Sequence, residues 1–255
     1  MSSVPATQTT HIATATAQDV FVRGKSLCSE LIGKVSFTEM TYFQITGRTP
    51  SAGQTAVVDA CLVTLVEHGL TPSTIAARLV YSSAPEAVQA AVAAGLLGVG
   101  SVFVGTVEGC AALLARIVAT GGRTDEESRR VAEEHRAARR AVPGFGHPLH
   151  KPDDPRSECI LRVAQEQGIA GRHVAALRAL ATAVDAAHGK HVTINATGAI
   201  AAALADAGVP VEIMRGFALI ARCAGLVGHV HEEQRSPSLR PIWEAAEHAV
   251  PYEEG

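Results

Sequence analysis

The sequence predicts an all-α protein, on the basis of three observations. Alanine is abundant, apolar residues recur at helical spacing, and Ser or Thr stands three residues before Glu at candidate helix starts. Aromatic residues make up only 4% of the 255 residues, and small side chains let helices approach one another closely. The hydrophobic fraction of 47% supplies enough apolar surface for one large domain or two small ones.

The N-terminal part is expected to begin with a flexible tail. Residues 1–18 are rich in Ser, Thr, Ala and Gln, so ordered structure is expected to begin near Asp19, followed by a short helix over 27–31. The pattern Ser36-Phe37-Thr38-Glu39 predicts a capping box at the start of a helix that ends before Gly47.

The rest of the chain carries one helical pattern after another. After Pro50, apolar residues at helical spacing predict a helix with Gly69 as its C-terminal cap. Thr124-Asp125-Glu126-Glu127 predicts a second capping box. The further helices are expected at about 73–82, 85–97, 110–117, 124–140, 157–167, 174–188 and 211–234.

The segment from Pro143 to Arg156 interrupts these patterns. Its prolines and glycines cannot continue a helix, yet it carries His147, His150, Lys151 and Arg156. A rigid, irregular segment of this kind predicts a loop that presents polar groups at a functional site. An ordinary helix–helix connection with incidental charges is the alternative.

Composition excludes several classes of function. A net charge of −3 gives no reason to expect nucleic acid as a partner. Five widely spaced cysteines without a Cys-x-x-Cys pair are typical of reduced thiols in the cytoplasm. No uninterrupted apolar run reaches the roughly 18 residues of a membrane span, so no membrane partner is expected. The sequence contains no metal or nucleotide-phosphate motif, and we expect no metal and no permanently bound cofactor.

The interrupting segment resembles the signature of a known family. Gly144-Phe145-Gly146-His147 followed by Asp154-Pro155-Arg156 is similar, in order and spacing, to the citrate synthase superfamily, which includes citryl-CoA lyases and the C-terminal part of ATP-citrate lyase. The resemblance implies that His147 polarises a substrate carbonyl or hydroxyl and that Arg156 pairs with a substrate carboxylate. It also implies coenzyme A contacts from Phe145, Gly146 and Lys151.

Other matches extend this resemblance from about Asp19 to the C-terminal region. His68, followed by Gly-Leu-Thr-Pro-Ser-Thr, resembles a substrate-contacting histidine, although a histidine at a helix end also complements the helix dipole. Arg222, in an Arg-x-x-Gly-x-x-x-His pattern with His229, resembles an arginine that grips a substrate carboxylate; a structural salt bridge is the alternative. Arg240 before Pro241 resembles an arginine that reaches the site of a neighbouring subunit, or it is an exposed tail residue.

Two positions depart from the family pattern. Phe103 stands where citrate synthases have a histidine, and the citryl-CoA-cleaving relatives lack that histidine too. Thr197, in Asn195-Ala196-Thr197, stands where the family has the aspartate that moves the proton of the acetyl methyl group. A threonine hydroxyl is a poor proton acceptor at neutral pH, so its role as a catalytic residue needs help from water or a neighbouring acid. Asp185 and Asp206 are candidate replacements, with surface carboxylates as the alternative.

The resemblance implies a large helical domain interrupted by a smaller helical one, in a homodimer. Residues 1–105 are expected to hold the tail and the first part of the large domain, 106–205 the small domain, and 206–255 a closing helix and tail. The implied reaction is cleavage of a citryl-CoA-type thioester to acetyl-CoA and oxaloacetate, with the coenzyme A thioester as substrate. A condensing transferase of the citrate synthase type and a non-catalytic protein that binds coenzyme A and a dicarboxylate are the alternatives.

Overall fold

The computed structural model of the protein describes residues 8–100, 102 and 105–254, and these are mainly helical. The predicted all-α class is therefore confirmed. Strands β1 to β3 span Ala13–Ala15, Val20–Val22 and Lys25–Ser26. Helices α1 to α11 span Phe37–Thr46, Ala52–Val66, Pro72–Ser83, Val88–Leu97, Thr106–Val118, Thr124–Ala137, Pro155–Glu166, Arg172–His188, Ala196–Asp206, Met214–Arg235 and Leu239–Ala249. A π-helical turn covers Leu27–Leu31, and a 3₁₀ turn covers Val211–Ile213.

The N-terminal strands correct the prediction of a flexible tail. β1 lies within the first eighteen residues and pairs antiparallel with β2, which in turn pairs with β3. The hairpin between β1 and β2 closes through Thr16, whose N–H donates to the Asp19 carbonyl at 2.8 Å. The prediction for residues 1–7 lies outside the residues that the structure describes.

Helix boundaries follow the predicted capping in part. Ser36 and Glu39 form the predicted capping box of α1, and Gly47 ends that helix in the left-handed conformation. The second predicted box is wrong, because Arg123 occupies the cap position and Thr124 is already helical. The cap at Gly69 is also wrong, because α2 ends at Val66.

The apolar core is centred on α9. Seven consecutive residues of this helix, Gly198 to Leu204, are buried, since it packs against α2, α5, α7 and α8. Alanines on α9 allow this close approach on several sides. One cluster of buried apolar side chains includes members of all three predicted chain segments, and the predicted domain boundaries stay a prediction.

The C-terminal region contains one helix more than predicted. α11 follows α10 after a short turn, where the sequence predicted a tail. Judged by its length and mean hydropathy, the segment Val211–Arg235 is long and apolar enough to cross a membrane, although it contains no uninterrupted apolar run of 18 residues. Core helices of soluble proteins meet the same criterion, and 44% of its most apolar window is buried inside the protein.

Candidate active site

A cavity of about 550 Å³ lies where the signature segment, Pro143 to Arg156, meets the starts of several helices. It brings together seven residues that the sequence predicted for the site: His68, Phe145, Gly146, His147, Arg156, Thr197 and Arg222. They come from distant parts of the chain, so the fold, and not sequence proximity, assembles this cavity.

Two predicted site residues lie elsewhere. Lys151 is exposed in the signature segment and does not line the cavity. The side chain of Arg240 is 89% exposed and pairs with Glu244 on the same helix at 2.9 Å. Its expected role in the site of a neighbouring subunit stays a prediction. Phe103 lies outside the described residues.

The two candidate replacements for the missing aspartate have structural roles. Asp206 accepts hydrogen bonds from the backbone N–H groups of Gly171, His173 and Val174 at the start of α8. Asp185 accepts one from Val192 at 2.8 Å and pairs with His191. Neither lines the cavity, so both are structural groups and not bases of this site.

Backbone hydrogen bonds and glycines hold the signature loop in place. Gly146 N–H donates to the Thr193 carbonyl at 2.8 Å, and Asn195 N–H donates to the Gly144 carbonyl at 3.0 Å. Gly144 has a φ of 87°, and a Cβ there would lie 2.9 Å from the Cα of Gly198. A side chain at Gly144 would therefore push the loop away from α9, and with it His147.

His147 is held by the loop that carries it. Its Nδ1 accepts hydrogen bonds from the backbone N–H groups of Leu149 at 3.2 Å and His150 at 3.0 Å. We therefore assign the proton of the neutral ring to Nε2. Burial, together with His150 and Arg156, lowers the pKa of His147 below its ordinary value, which favours this neutral form. His147 can thus donate one hydrogen bond from Nε2.

A buried carboxylate orients Arg156. Asp154 is fully buried and accepts Arg156 Nε at 2.9 Å and Nη2 at 2.7 Å. Arg156 Nη2 also lies 3.2 Å from Nε2 of His147, so two donors face the same point in the cavity. An oxygen atom of a bound ligand would accept from both.

We expect D154N to destabilise the protein by about 1.5 to 3 kcal/mol, since the charge-assisted bonds to Arg156 are lost. Burial raises the pKa of Asp154, but the hydrogen bonds from Arg156 outweigh it, so the net pKa is lowered. The stability difference between wild type and D154N should therefore be largest above pH 3.8, the ordinary pKa of an aspartate. It should shrink as the pH falls through the lower pKa that Asp154 has in the folded protein. Urea denaturation at several pH values measures this; a difference that grows toward low pH would contradict it.

Arg222 is a buried cation without a partner among the described residues. The residue is only 5% exposed, and its Nε and Nη1 atoms are buried without a hydrogen bond there. Burial lowers its pKa, and the more distant Glu67 only partly offsets this. The structural salt bridge, which was the alternative to a substrate contact, is therefore not formed within the described residues. An unpaired buried guanidinium that lines a cavity is suited to bind a carboxylate of a ligand.

Helix dipoles add to this positive potential. Among the residues described, the first turns of α3, α5, α7 and α9 all contribute to the cavity lining. Each helix start carries the positive end of the dipole. The first N–H groups of α7 and α9 are already bonded to Asp154 and Asn195, so the dipoles, and not free donors, act on the cavity there. The cavity therefore favours an anionic ligand.

Thr197 is part of a chain of hydroxyl groups. Thr106 donates to the Thr197 hydroxyl at 2.9 Å, and Thr197 donates to Asn195 Oδ1 at 2.7 Å. Asn195 is itself oriented by the Gly146 carbonyl, to which its Nδ2 donates at 2.9 Å. The Thr197 hydroxyl thus donates its proton to an amide oxygen. This series of hydrogen bonds leads to the Asn195 amide, which cannot accept a proton at neutral pH.

Sequence reasoning missed Glu67, the only carboxylate among the described residues that line the cavity. Its carboxylate accepts the Nε2 proton of His229 at 2.7 Å, and Nδ1 of His229 accepts from the buried Arg78 at 3.0 Å. Arg78 in turn pairs with the buried Glu233 at 2.9 Å. His229, named above only as part of the Arg222 pattern, therefore bridges the cavity to an ion pair. Thr106 and Asn195 were missed as well, although an Asn before a helical pattern is a cap signal that could have found Asn195.

Three histidines meet at one side of the cavity. Ring nitrogens of His68, His147 and His150 lie within 4.8 Å of one another, a spacing at which histidines can share a metal ion. However, Nδ1 of His147 already accepts two backbone N–H bonds and its Nε2 carries the proton, so neither ring nitrogen offers a lone pair to a metal ion, and two guanidinium groups lie nearby. This donor pattern favours an anion over a cation.

Comparisons with known proteins show which sequences and folds this chain resembles. The sequence matches the family described as "Citrate synthase, C-terminal domain" over residues 34–242. The structure of citryl-CoA lyase from Hydrogenobacter thermophilus superposes with a TM-score of 0.88 at 28% identity, covering 97% of this chain and 95% of that one. ATP citrate lyase from Methanothrix soehngenii, in complex with citrate and coenzyme A, gives a TM-score of 0.80 at 18% identity, covering 99% of this chain and 42% of that one.

Curated sequences match over a shorter range. "Putative citrate synthase 2" from Mycobacterium bovis is 28% identical over 196 residues, which is 74% of this chain. The chain spans about half the length of the curated relatives that it matches. The family match covers most of the chain, and the fold agrees with the predicted citrate synthase-like architecture. This chain belongs to the citrate synthase family.

Proposed function

We propose that this protein cleaves a citryl-CoA-type thioester to acetyl-CoA and oxaloacetate. The observation that carries the proposal is the convergence of three donor groups on one cavity: Nε2–H of His147, the guanidinium of Arg156, which Asp154 orients, and the buried guanidinium of Arg222, whose Nε and Nη1 have no partner among the described residues. The similarity to a citryl-CoA lyase over nearly the whole of both chains supports the lyase reaction in particular.

The donors suit a tricarboxylic thioester. Arg222 and Arg156 would each pair with a substrate carboxylate, and charge-assisted bonds of this kind contribute about 1.5–3 kcal/mol each. His147 would donate from Nε2 to the substrate hydroxyl oxygen, which becomes the ketone oxygen of oxaloacetate. As the carbon–carbon bond breaks, the hydroxyl loses its proton and the enolate of acetyl-CoA gains one at carbon.

Helix starts around the cavity would stabilise the enolate. The developing oxyanion of the thioester would lie in a site lined by the first turns of four described helices.

The experiment is a cleavage assay with citryl-CoA. Oxaloacetate is followed through malate dehydrogenase and NADH, and acetyl-CoA is followed by chromatography. Wild type should form both products in equal amounts, and H147Q should be about 10²- to 10⁴-fold slower. The reverse condensation from acetyl-CoA and oxaloacetate is assayed in parallel with free thiol as readout.

The alternative is a non-catalytic protein that binds coenzyme A thioesters and dicarboxylates. The observation that favours it is the commitment of the Thr197 hydroxyl to Asn195. Binding of citryl-CoA by calorimetry without formation of oxaloacetate in either direction would support this alternative and contradict the lyase proposal.

A further inference from the structure

The proposed reaction moves one proton, and this inference rests on that function. Cleavage takes a proton from the substrate hydroxyl oxygen and delivers one to the methyl carbon of acetyl-CoA. Proton uptake and proton delivery therefore cancel within one turnover. A single acid–base group that touches both atoms is sufficient for the balance.

Most polar groups of the cavity cannot serve as this group. The Thr197 hydroxyl donates to Asn195 and accepts from Thr106. The Glu67 carboxylate accepts three N–H bonds of 2.7 Å each, from His68 N, Gly69 N and His229 Nε2. Burial raises the pKa of Glu67, but the bonds from His229 and the backbone outweigh it, so the pKa is lowered and the carboxylate is a weak base.

His147 is also unavailable as a base. Its Nδ1 accepts two backbone N–H bonds, and its Nε2 carries the proton that points toward the position shared with Arg156. It is placed to donate a hydrogen bond to the substrate oxygen, and it has no free lone pair with which to accept a proton.

His68 is different from these groups. Its ring lines the cavity with its centroid 6.0 Å from that of His147, at an interplanar angle of 69°. The only hydrogen bond of this residue within the described part of the chain is made by its backbone N–H, so both ring nitrogens are available. The ring is also exposed to the cavity, where a ligand can reach it.

We propose that His68 is the single acid–base group of the reaction. Its neutral ring accepts the proton of the substrate hydroxyl: the O–H bond breaks, an N–H bond forms, and the electron pair of the carbon–carbon bond passes to the enolate. The imidazolium then gives the same proton to the enolate carbon, so an N–H bond breaks and a C–H bond forms. The ring ends neutral, and no other reactant is needed.

The surroundings of His68 support this cycle. Charged and titratable groups face it from every neighbouring element: His147 and His150 on the loop, Asp154 and Arg156 at the start of α7, Arg222 on α10, and Glu67 beside it. Burial, followed by Arg156, Arg222 and His150, lowers the pKa of His68, whereas Asp154 raises it. The ring is therefore neutral at pH 7, and the imidazolium between two arginines releases its proton readily.

The test separates proton transfer from cleavage. Acetyl-CoA is incubated in D₂O with malate, a dicarboxylate that has no ketone to condense, and deuterium in the methyl group is followed by mass spectrometry. Citryl-CoA cleavage is measured on the same variants. We expect H68Q to lose both reactions by about 10²- to 10⁴-fold, with a KM within a few-fold of wild type. H68A should regain part of the rate when imidazole is added.

The matched control is H231Q, because His231 is exposed on α10 and its ring hydrogen-bonds only with Gln234 among the described residues. It should react like wild type. The cleavage rate of wild type should fall as pH decreases through a pKa below 6.5. If wild type cleaves citryl-CoA and H68Q cleaves it equally fast, this inference is wrong while the proposed function stands. If wild type neither cleaves nor exchanges, the proposed function fails, and this inference fails with it.

Discussion

Replacing Arg222 by methionine is expected to stabilise the protein and to abolish tight binding of its substrate. Arg222 is 5% exposed and its Nε and Nη1 atoms have no partner among the described residues. Removing an uncompensated buried charge in favour of an apolar side chain of similar length should raise the free energy of unfolding by about 1 to 4 kcal/mol. Loss of a buried charged partner should weaken dicarboxylate or citryl-CoA binding by about 2 to 5 kcal/mol, which is roughly 30- to 5,000-fold in Kd.

Urea denaturation and calorimetric titration measure the two effects. The matched control is R215M on the same helix, because Arg215 pairs with Glu108 at 2.7 Å and does not line the cavity. R215M should lose up to about 1 kcal/mol of stability and bind ligand normally. If R222M is less stable than wild type in the absence of ligand, Arg222 has a structural partner and its assignment to the substrate is wrong.

Replacing Thr197 by aspartate is expected to restore the proton transfer that H68Q loses. Thr197 is the second residue of α9, where the helix dipole favours a carboxylate and the Thr106 hydroxyl can donate to it. The aspartate loses the bond that Thr197 donates to Asn195, which offsets these gains, so T197D should fold with a stability within about 1 kcal/mol of wild type. Its carboxylate would supply a second base, so the H68Q/T197D double variant should exchange the methyl protons of acetyl-CoA at least about 100-fold faster than H68Q.

The comparison variant is T197N, which has the same shape as T197D but cannot accept a proton at neutral pH. H68Q/T197N should stay as slow as H68Q. Deuterium exchange in the presence of malate measures both double variants. An H68Q/T197D variant that remains at the level of H68Q would show that position 197 does not face the methyl carbon.

The signature loop was predictable because its geometry is local. Glycines and prolines from Pro143 to Arg156 exclude a helix, and Asp154 caps α7 through a side chain that lies two residues from Arg156. The turn-forming and capping residues of this segment therefore determine where His147 and Arg156 lie, and these residues can be identified in the sequence.

The end of α2 was not predictable in the same way. Helical spacing continues toward Gly69, but the helix stops at Val66 and the Glu67 carboxylate bonds the next two backbone N–H groups. Helix α10 packs closely against this end of α2, because a Cβ on Gly225 would lie only 2.0 Å from the Val66 carbonyl oxygen. This contact is distant in sequence, and it places His68 in a loop and not in a helical turn. Strand β1 was missed because the alternation of Ala13, Thr14 and Ala15 involves only three small, exposed residues, and the strand is defined by its pairing with β2.

The four helix starts around the cavity have a practical consequence for enzymology. Backbone dipoles carry no titratable proton, so the attraction that they exert on anions persists at acidic and alkaline pH alike, unlike that of the histidines. Phosphate, sulfate and citrate buffers would therefore compete with the thioester over the whole range in which rates are recorded. A zwitterionic buffer of low ionic strength avoids this competition and gives Michaelis constants that describe the true substrate.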